Sequence, residues 1–227
     1  MRCLARIPSL CAICRGWGST RVCLPCMQRF APGEPRCSRC ALRVPAGTAT
    51  CGRCLVSPPP FQHAVAAVDY GFPWDRLVLG FKFHGALDLA GTLAGGLRDA
   101  VARARHPPPD LLLPVPLSPA RLRERGFNQA WELARRLGPA ADPTLLLRVK
   151  HTPHQIALPE ARRATNVRGA FAIEPRRRAA VAGRHVAVVD DVMTTGATAH
   201  EITKVLQAAG AASVQVWVVA RTPRPSG

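Results

Sequence analysis

The sequence predicts an α/β domain with a largely parallel sheet, preceded by a small cysteine-rich head that depends on metal. Three observations predict it. Apolar, β-branched runs alternate with helix-periodic segments over the last 170 or so residues. All nine cysteines fall within the first 54 residues. Between the two regions stands "SPPPF", Ser57 to Phe61, whose three prolines make a stiff, extended connector. The expected domains are 1–57 and 58–227.

In the head, eight cysteines form four C-x-x-C pairs: Cys11/Cys14, Cys23/Cys26, Cys37/Cys40 and Cys51/Cys54. Each C-x-x-C turn presents two sulfurs on one side of a knuckle, and two knuckles complete a tetrahedral S₄ site suited to Zn²⁺. Disulfides need an oxidising compartment, and the N-terminus "MRCLARIPSLCAIC" has no continuous apolar core of a signal peptide. Iron–sulfur clusters use other familiar spacings. Sequential pairing would give two ribbons and alternating pairing a cross-brace; the spacing favours the first only slightly. The head is too poor in aliphatics to fold alone, so one or two zinc ions would be structural. Cys3 is left over.

Beyond the connector, "AVAAVDY" (64–70) reads as a strand, and "DRLVLGFKF" and "LDLAGTLAGGLRDAVARAR" as helices. "HPPPD" is a loop and "LLLPV" (111–115) a short buried strand. "SPARLRERGFNQAWELARRLG" reads as one helix, with Ser118 as N-cap, Pro119 at the first helical position and Gly138 as the stop. "TLLLRV" is a further strand. "HVAVV" (185–189) has the composition of a strand buried on both faces. "TAHEITKVLQAAG" is an amphipathic helix and "SVQVWVVAR" the last strand.

The strand at 185–189 runs into Asp190 and Asp191, then into "MTTGAT" and a helix. Ligands bind at this end of strands in open α/β sheets. The free N–H groups of a helix start attract an anion, Thr194, Thr195 and Thr198 add hydroxyls, and Gly196 allows close approach. Carboxylates accept hydrogen bonds from a diol and repel phosphate, so acids beside a phosphate cradle suit a sugar phosphate. No G-x-x-x-x-G-K-[ST] and no G-x-G-x-x-G occurs, which excludes a P-loop and a dinucleotide fingerprint.

The stretch "VAVVDDVMTTGAT", Val186 to Thr198, resembles the thirteen-residue phosphoribosyl pyrophosphate (PRPP) motif of type I phosphoribosyltransferases. With "RERGFNQA" (123–130), "HTPHQIALPEARRATNVRGAF" (151–171) and the cysteine-rich head, the chain resembles the ComF family of competence-related proteins: a double zinc ribbon followed by a type I phosphoribosyltransferase-like parallel sheet flanked by helices. The resemblance implies that Asp190 and Asp191 hold ribose hydroxyls as the catalytic acids. It implies that Val192, Met193, Thr194, Thr195, Gly196, Ala197 and Thr198 complete the PRPP site, and that Mg²⁺ accompanies PRPP. It further implies single-stranded DNA and DNA-uptake proteins at the inner membrane as partners, in natural transformation.

"LPVPLSP" (113–119) is a candidate second anion turn, with Arg121, Arg123 and Arg125 just downstream; Arg121 and Arg125 share a helix face. Lys150 and Arg163 belong to a basic segment, 150–168, of the kind that closes over a ligand. These five are candidates for pyrophosphate or DNA. The net charge of +17 fits a polyanion partner or a plain arginine bias. Trp17, Phe30 and Phe127 are the candidates for base stacking. No run approaches the roughly 20 apolar residues of a membrane span, so the expectation is a cytoplasmic protein, with peripheral attachment to the inner membrane left open. Three functions stay in play: transfer from PRPP to a base, DNA handling, and PRPP-responsive regulation without turnover.

Overall fold

The computed structural model describes residues 8–150 and 167–224. The head holds the short hairpin β1 (Ser9–Leu10) and β2 (Trp17–Gly18), then α1 (Leu24–Phe30) and α2 (Gly52–Val56). The main domain follows with β3 (His63–Asp69), α3 (Trp74–Phe83), α4 (Ala90–Ala104), β4 (Leu111–Pro114), α5 (Pro119–Arg125), α6 (Gln129–Leu137) and β5 (Leu146–Arg148). It ends with β6 (Phe171–Ile173), β7 (His185–Met193), α7 (Ala197–Ala208) and β8 (Ser213–Arg221).

The central sheet has the order β3-β8-β7-β4, and all its neighbours are parallel. Its strands read as unbroken apolar runs because both faces are covered. The two-residue period sorts their side chains. Ala187, Val189, Trp217 and Val219 face the cluster built with α3, α4 and α6, through Leu77, Phe81, Leu93, Leu97 and Leu133. Val186, Val188, Val216 and Val218 face the other cluster, with Ile202 and Leu206 of α7.

Two expectations change. The helix foreseen from Pro119 to Leu137 is two helices. Gly126, at φ +80°, ends α5 in the left-handed region, and Asn128 caps α6 by accepting hydrogen bonds from the N–H groups of Ala130 (2.9 Å) and Trp131 (3.3 Å). The "TLLLRV" strand stays outside the main sheet: β5 pairs antiparallel with β6 as a separate two-stranded sheet. Of the segment 150–168, residues 151–166 lie outside the described residues, Arg163 among them.

The head shares the core of the main domain. Cys11, Val22 and Cys26 join the cluster around α4, and Ala41 joins the one around α7. Among the described residues, no helix is long and apolar enough to cross a membrane.

Candidate functional site

The end of β7 carries the two acids, and the strand period gives them different surroundings. Asp191 has the parity of Ala187 and Val189 and is directed toward α3. There Lys82 Nζ meets Asp191 Oδ2 at 2.7 Å, in a place where Asp191 is only 2% exposed. Asp190 has the opposite parity and stays partly exposed. Its Oδ1 accepts a hydrogen bond from the Asp191 N–H at 2.8 Å.

The two carboxyls titrate apart. Burial raises Asp190 well above the usual carboxylate range, and the adjacent Asp191 charge adds to that. Burial acts in the same sense on Asp191, but the attraction of Lys82 outweighs it and lowers the group. Lys82 is raised in turn: desolvation works against its charge, and the pull of Asp191 and Asp190 overrides it.

Thr194 and Thr195 form the turn after β7, and Gly196, at φ +85°, starts α7. A side chain there would be strained, which explains the glycine. The Thr195 hydroxyl accepts from the Ala197 N–H at 3.3 Å. The first N–H groups of α7 have no acceptor within the helix, and its dipole adds positive potential at the turn. Ala199, Ile202, Thr203 and Leu206 hold α7 against the sheet and so fix where that end sits.

Acids and turn open into one cleft of about 440 Å³. Its lining includes every residue from Asp190 to Thr198, together with Tyr70, Lys82, Phe83, Arg121, Arg125, Gln129 and Arg148. Four cations thus border two carboxylates and a helix start. The arginines are partly dehydrated: burial lowers Arg121, Arg125 and Arg148 from their ordinary value, with Asp191 opposing at Arg125 and Asp190 at Arg148. Cations held in this state interact strongly with an incoming polyanion.

"RGFNQ" acquires a physical reading here. Arg125 Nη1 donates to Gln129 Oε1 at 2.5 Å, and its guanidinium lies 5.0 Å from the Phe83 ring centroid. Gly126 makes the turn. Phe127 packs on Phe81, with centroids 6.0 Å apart. Asn128, besides capping α6, donates from Nδ2 to the Val115 carbonyl at 3.1 Å and so ties the loop after β4 to α6.

Other candidates fall elsewhere. Arg123 is exposed and outside the cleft lining. Lys150 lies two residues past β5, its Nζ against Gly169, and is also outside that lining. Of the three aromatics proposed for stacking, Trp17 is 76% exposed, whereas Phe30 packs edge-on against Phe72 and Phe127 is turned to the core. Sequence reasoning missed Lys82, Arg148 and Tyr70. Lys82 carried a faint signal, as one of only three lysines in an arginine-rich chain.

The cysteines resolve into two sequential tetrads, Cys11/Cys14/Cys23/Cys26 and Cys37/Cys40/Cys51/Cys54, each with all sulfurs within 4.8 Å of one another. The cross-brace is thereby set aside. Cys14 and Cys23 sulfurs are 3.7 Å apart, as are those of Cys40 and Cys51. Zn–S bonds of about 2.3 Å in a tetrahedron require edges of about 3.8 Å. The N–H groups of Ile13 and Cys23 donate to Cys11 Sγ, and that of Cys51 to Cys37 Sγ. Burial opposes charge on Cys11, but N–H donors from Cys23, Cys14 and Ile13 outweigh it and bring the thiol down to about 6. Burial pushes Cys40 up to about 11, with the Cys37 charge adding to the effect. Such nests suit a divalent cation, and zinc fits both.

The parallel sheet, the cleft beyond β7 and the glycine turn define a phosphoribosyltransferase-type domain. In agreement, residues 124–226 match the family described as "Phosphoribosyl transferase domain". Over nearly the whole chain the similarity is to proteins named for DNA utilization or for competence. A DNA utilization protein YhgH of Salmonella typhi is 38% identical over 230 residues, 95% of this chain and 98% of its own. Competence protein F of Haemophilus influenzae is 34% identical over 222 residues, 93% and 96% of the two chains. Competence protein ComFC of Bacillus subtilis is 29% identical over 144 residues, 63% of this chain and 57% of its own. The chain belongs to the ComF family.

Proposed function

We propose that the cleft binds PRPP with Mg²⁺ and that the protein serves the use of DNA taken up as single strands. The observation that carries the first part is the convergence, in one cleft, of the acid at 190, the turn from Thr194 to Thr198 and four cations. The turn and the start of α7 suit the 5-phosphate. Asp190, the more accessible acid, suits the ribose hydroxyls or a Mg²⁺ ion that keeps most of its waters. Lys82, Arg121, Arg125 and Arg148 suit the pyrophosphate and would stabilise its charge if it departed. Mg²⁺, where bound, would supply further neutralisation of that pyrophosphate.

Calorimetry with PRPP and Mg²⁺ tests the reading. Asp190→Asn leaves the Lys82–Asp191 pair in place and should weaken binding at least about tenfold at unchanged zinc content. Equal binding by the variant would overturn the assignment. Whether bound PRPP is turned over separates an active transferase from a regulator. Pyrophosphate release, measured with a panel of bases and with single-stranded DNA, distinguishes them.

The role with DNA draws on the names of the relatives and on the net charge of +17. Phosphate contacts would dominate, so binding of labelled single strands should fall steeply between 50 and 200 mM salt. No binding at the lower salt would remove DNA from the proposal. Recruitment by DNA-uptake proteins at the inner membrane belongs to the same reading, and co-purification with the membrane fraction of competent cells tests it.

A further inference from the structure

Arg221, the last residue of β8, is 7% exposed. Buried charges are paired or hydrogen-bonded, and among the described residues Arg221 makes no ion pair with a carboxylate. It spends its donors on carbonyls instead. Nε donates to the Cys40 carbonyl at 2.9 Å. Nη1 donates to the carbonyls of Met193 and Thr222, each at 2.9 Å, and to that of Thr194. One side of the guanidinium therefore rests on a knuckle of the second cysteine tetrad. The other holds the first residues of the turn that opens the cleft.

The knuckle can aim the Cys40 carbonyl only while it is folded. Its shape rests on the Cys37 N–H donating to the Leu42 carbonyl and the Ala41 N–H donating to the Cys37 carbonyl, both at 2.8 Å, with Ala41 held at φ +58°. A non-glycine residue in that region persists where its surroundings impose it; here Ala41, next to Cys40 of the tetrad, is fully buried in the apolar cluster around α7 and its carbonyl accepts from Arg36 Nη1 at 3.0 Å. Among the described residues, the first tetrad makes no hydrogen bond to the turn. Its segment contacts α3 and α4 and the turn between them: the Trp74 Nε1 donates to the Phe30 carbonyl at 2.6 Å, Arg21 pairs with Asp88 at 2.5 Å, and Met27 packs at Gly96.

We propose that Arg221 couples metal occupancy of the Cys37/Cys40/Cys51/Cys54 tetrad to the shape of the Thr194–Thr198 turn, so that loading that tetrad tightens the ligand site. Arg221 is a positioning residue. The metal fixes the knuckle, the knuckle fixes the guanidinium, and the guanidinium fixes the carbonyls of Met193 and Thr194. The proposal rests on the reading of the turn as a phosphate site only for its functional consequence. The structural coupling stands apart from it. Linkage is reciprocal, so a ligand held by the turn would also tighten the metal.

The test uses the full chain in four forms: wild type, Cys51→Ser, Cys14→Ser and Arg221→Lys. Zinc content is measured in each, then amide hydrogen exchange of residues 192–198 and the affinity for PRPP with Mg²⁺. Cys51→Ser and Arg221→Lys should each speed exchange in the turn and weaken PRPP about tenfold, within the usual range of coupling between sites. Arg221→Lys should keep both zinc ions, which separates the relay from loss of the fold. Cys14→Ser should leave the turn unchanged. Combining Cys51→Ser with Arg221→Lys should add little to either alone. Equal effects of the two tetrads, or additive effects of the pair, would overturn the coupling. Should the turn respond as stated while zinc-loaded wild type fails to bind PRPP, the relay stands and the ligand assignment falls. If Cys51→Ser binds PRPP as wild type does, the reverse holds.

Discussion

Lys82 Nζ lies 2.7 Å from Asp191 Oδ2, and this pair makes two adjacent aspartates unequal. One acid is committed to a neighbouring helix before any ligand arrives. The other faces the cleft. Removing one partner of a buried pair leaves an unpaired charge, at a cost of about 3–5 kcal/mol. Lys82 keeps 24% of its side-chain surface in solvent, so Lys82→Met should cost about 3 kcal/mol, the lower end. Adding Asp191→Asn should restore most of that. Urea unfolding at constant zinc checks both.

Asp190 gives the opposite sign. Its folded-state pKa is raised, so the stability it contributes is present below the unfolded value and lost as pH rises through the folded one. Above the unfolded value the group is thus a burden on the fold. Asp190→Asn should therefore stabilise the protein by about 1 kcal/mol at pH 7. The gain should shrink as pH falls toward about 4 and vanish well below it, where the wild-type carboxyl is protonated in both states. Thermal midpoints measured across that range decide it. Ligand binding has the reverse requirement: a group that binds Mg²⁺ must be ionised, so affinity should rise with pH in the wild type and lose that dependence in the variant.

Gly126 divides α5 from α6 at φ +80°, with open space where a Cβ would stand. Any penalty there is backbone strain alone. Gly126→Ala should cost about 1 kcal/mol. It should also disturb the Arg125–Gln129 contact on the cleft side of the turn. Denaturant midpoints give the first effect, and weaker PRPP binding the second.

That glycine shows what was legible in the sequence and what was not. Strands β3, β7 and β8 and the helix after the acid pair were readable because their periods and turn residues agree. Buried runs such as "HVAVV" have few alternatives. The segment from Pro119 to Leu137 keeps a helical apolar pattern on both sides of Gly126, so the pattern alone suggests one helix. The break lies in local chemistry: a glycine in the left-handed region followed two residues later by an Asn cap, which "GFN" already spelled. The β5–β6 pairing was not legible because strand propensity does not name a pairing partner. The site divides the same way. The acids and the turn are contiguous in sequence, and so were found. Lys82, Arg148 and Tyr70 reach the cleft from separate elements, and only tertiary packing brings them there.

The cysteine-rich head bears on the stability of the whole chain. The boundary after Ser57 suggests a detachable module, yet Cys11, Val22 and Cys26 are buried in the same apolar cluster as Trp74, Leu93 and Leu97. Trp74 also loses its hydrogen-bond acceptor, the Phe30 carbonyl, if the head is lost. Asp69, at the end of β3, pairs with Arg36 at 2.6 Å and with Arg43. A buried indole N–H without a partner costs about 1–3 kcal/mol, beyond the apolar surface uncovered on α3 and α4. The purified chain should therefore carry two zinc ions and unfold in one transition. A strong chelator should lower that transition by several degrees instead of melting the head alone. A chain starting at residue 58 should be poorly soluble or far less stable. Metal analysis and calorimetry of the intact and chelated protein check this. Two separate transitions, with the main one unmoved by metal loss, would mean that head and main domain are energetically independent.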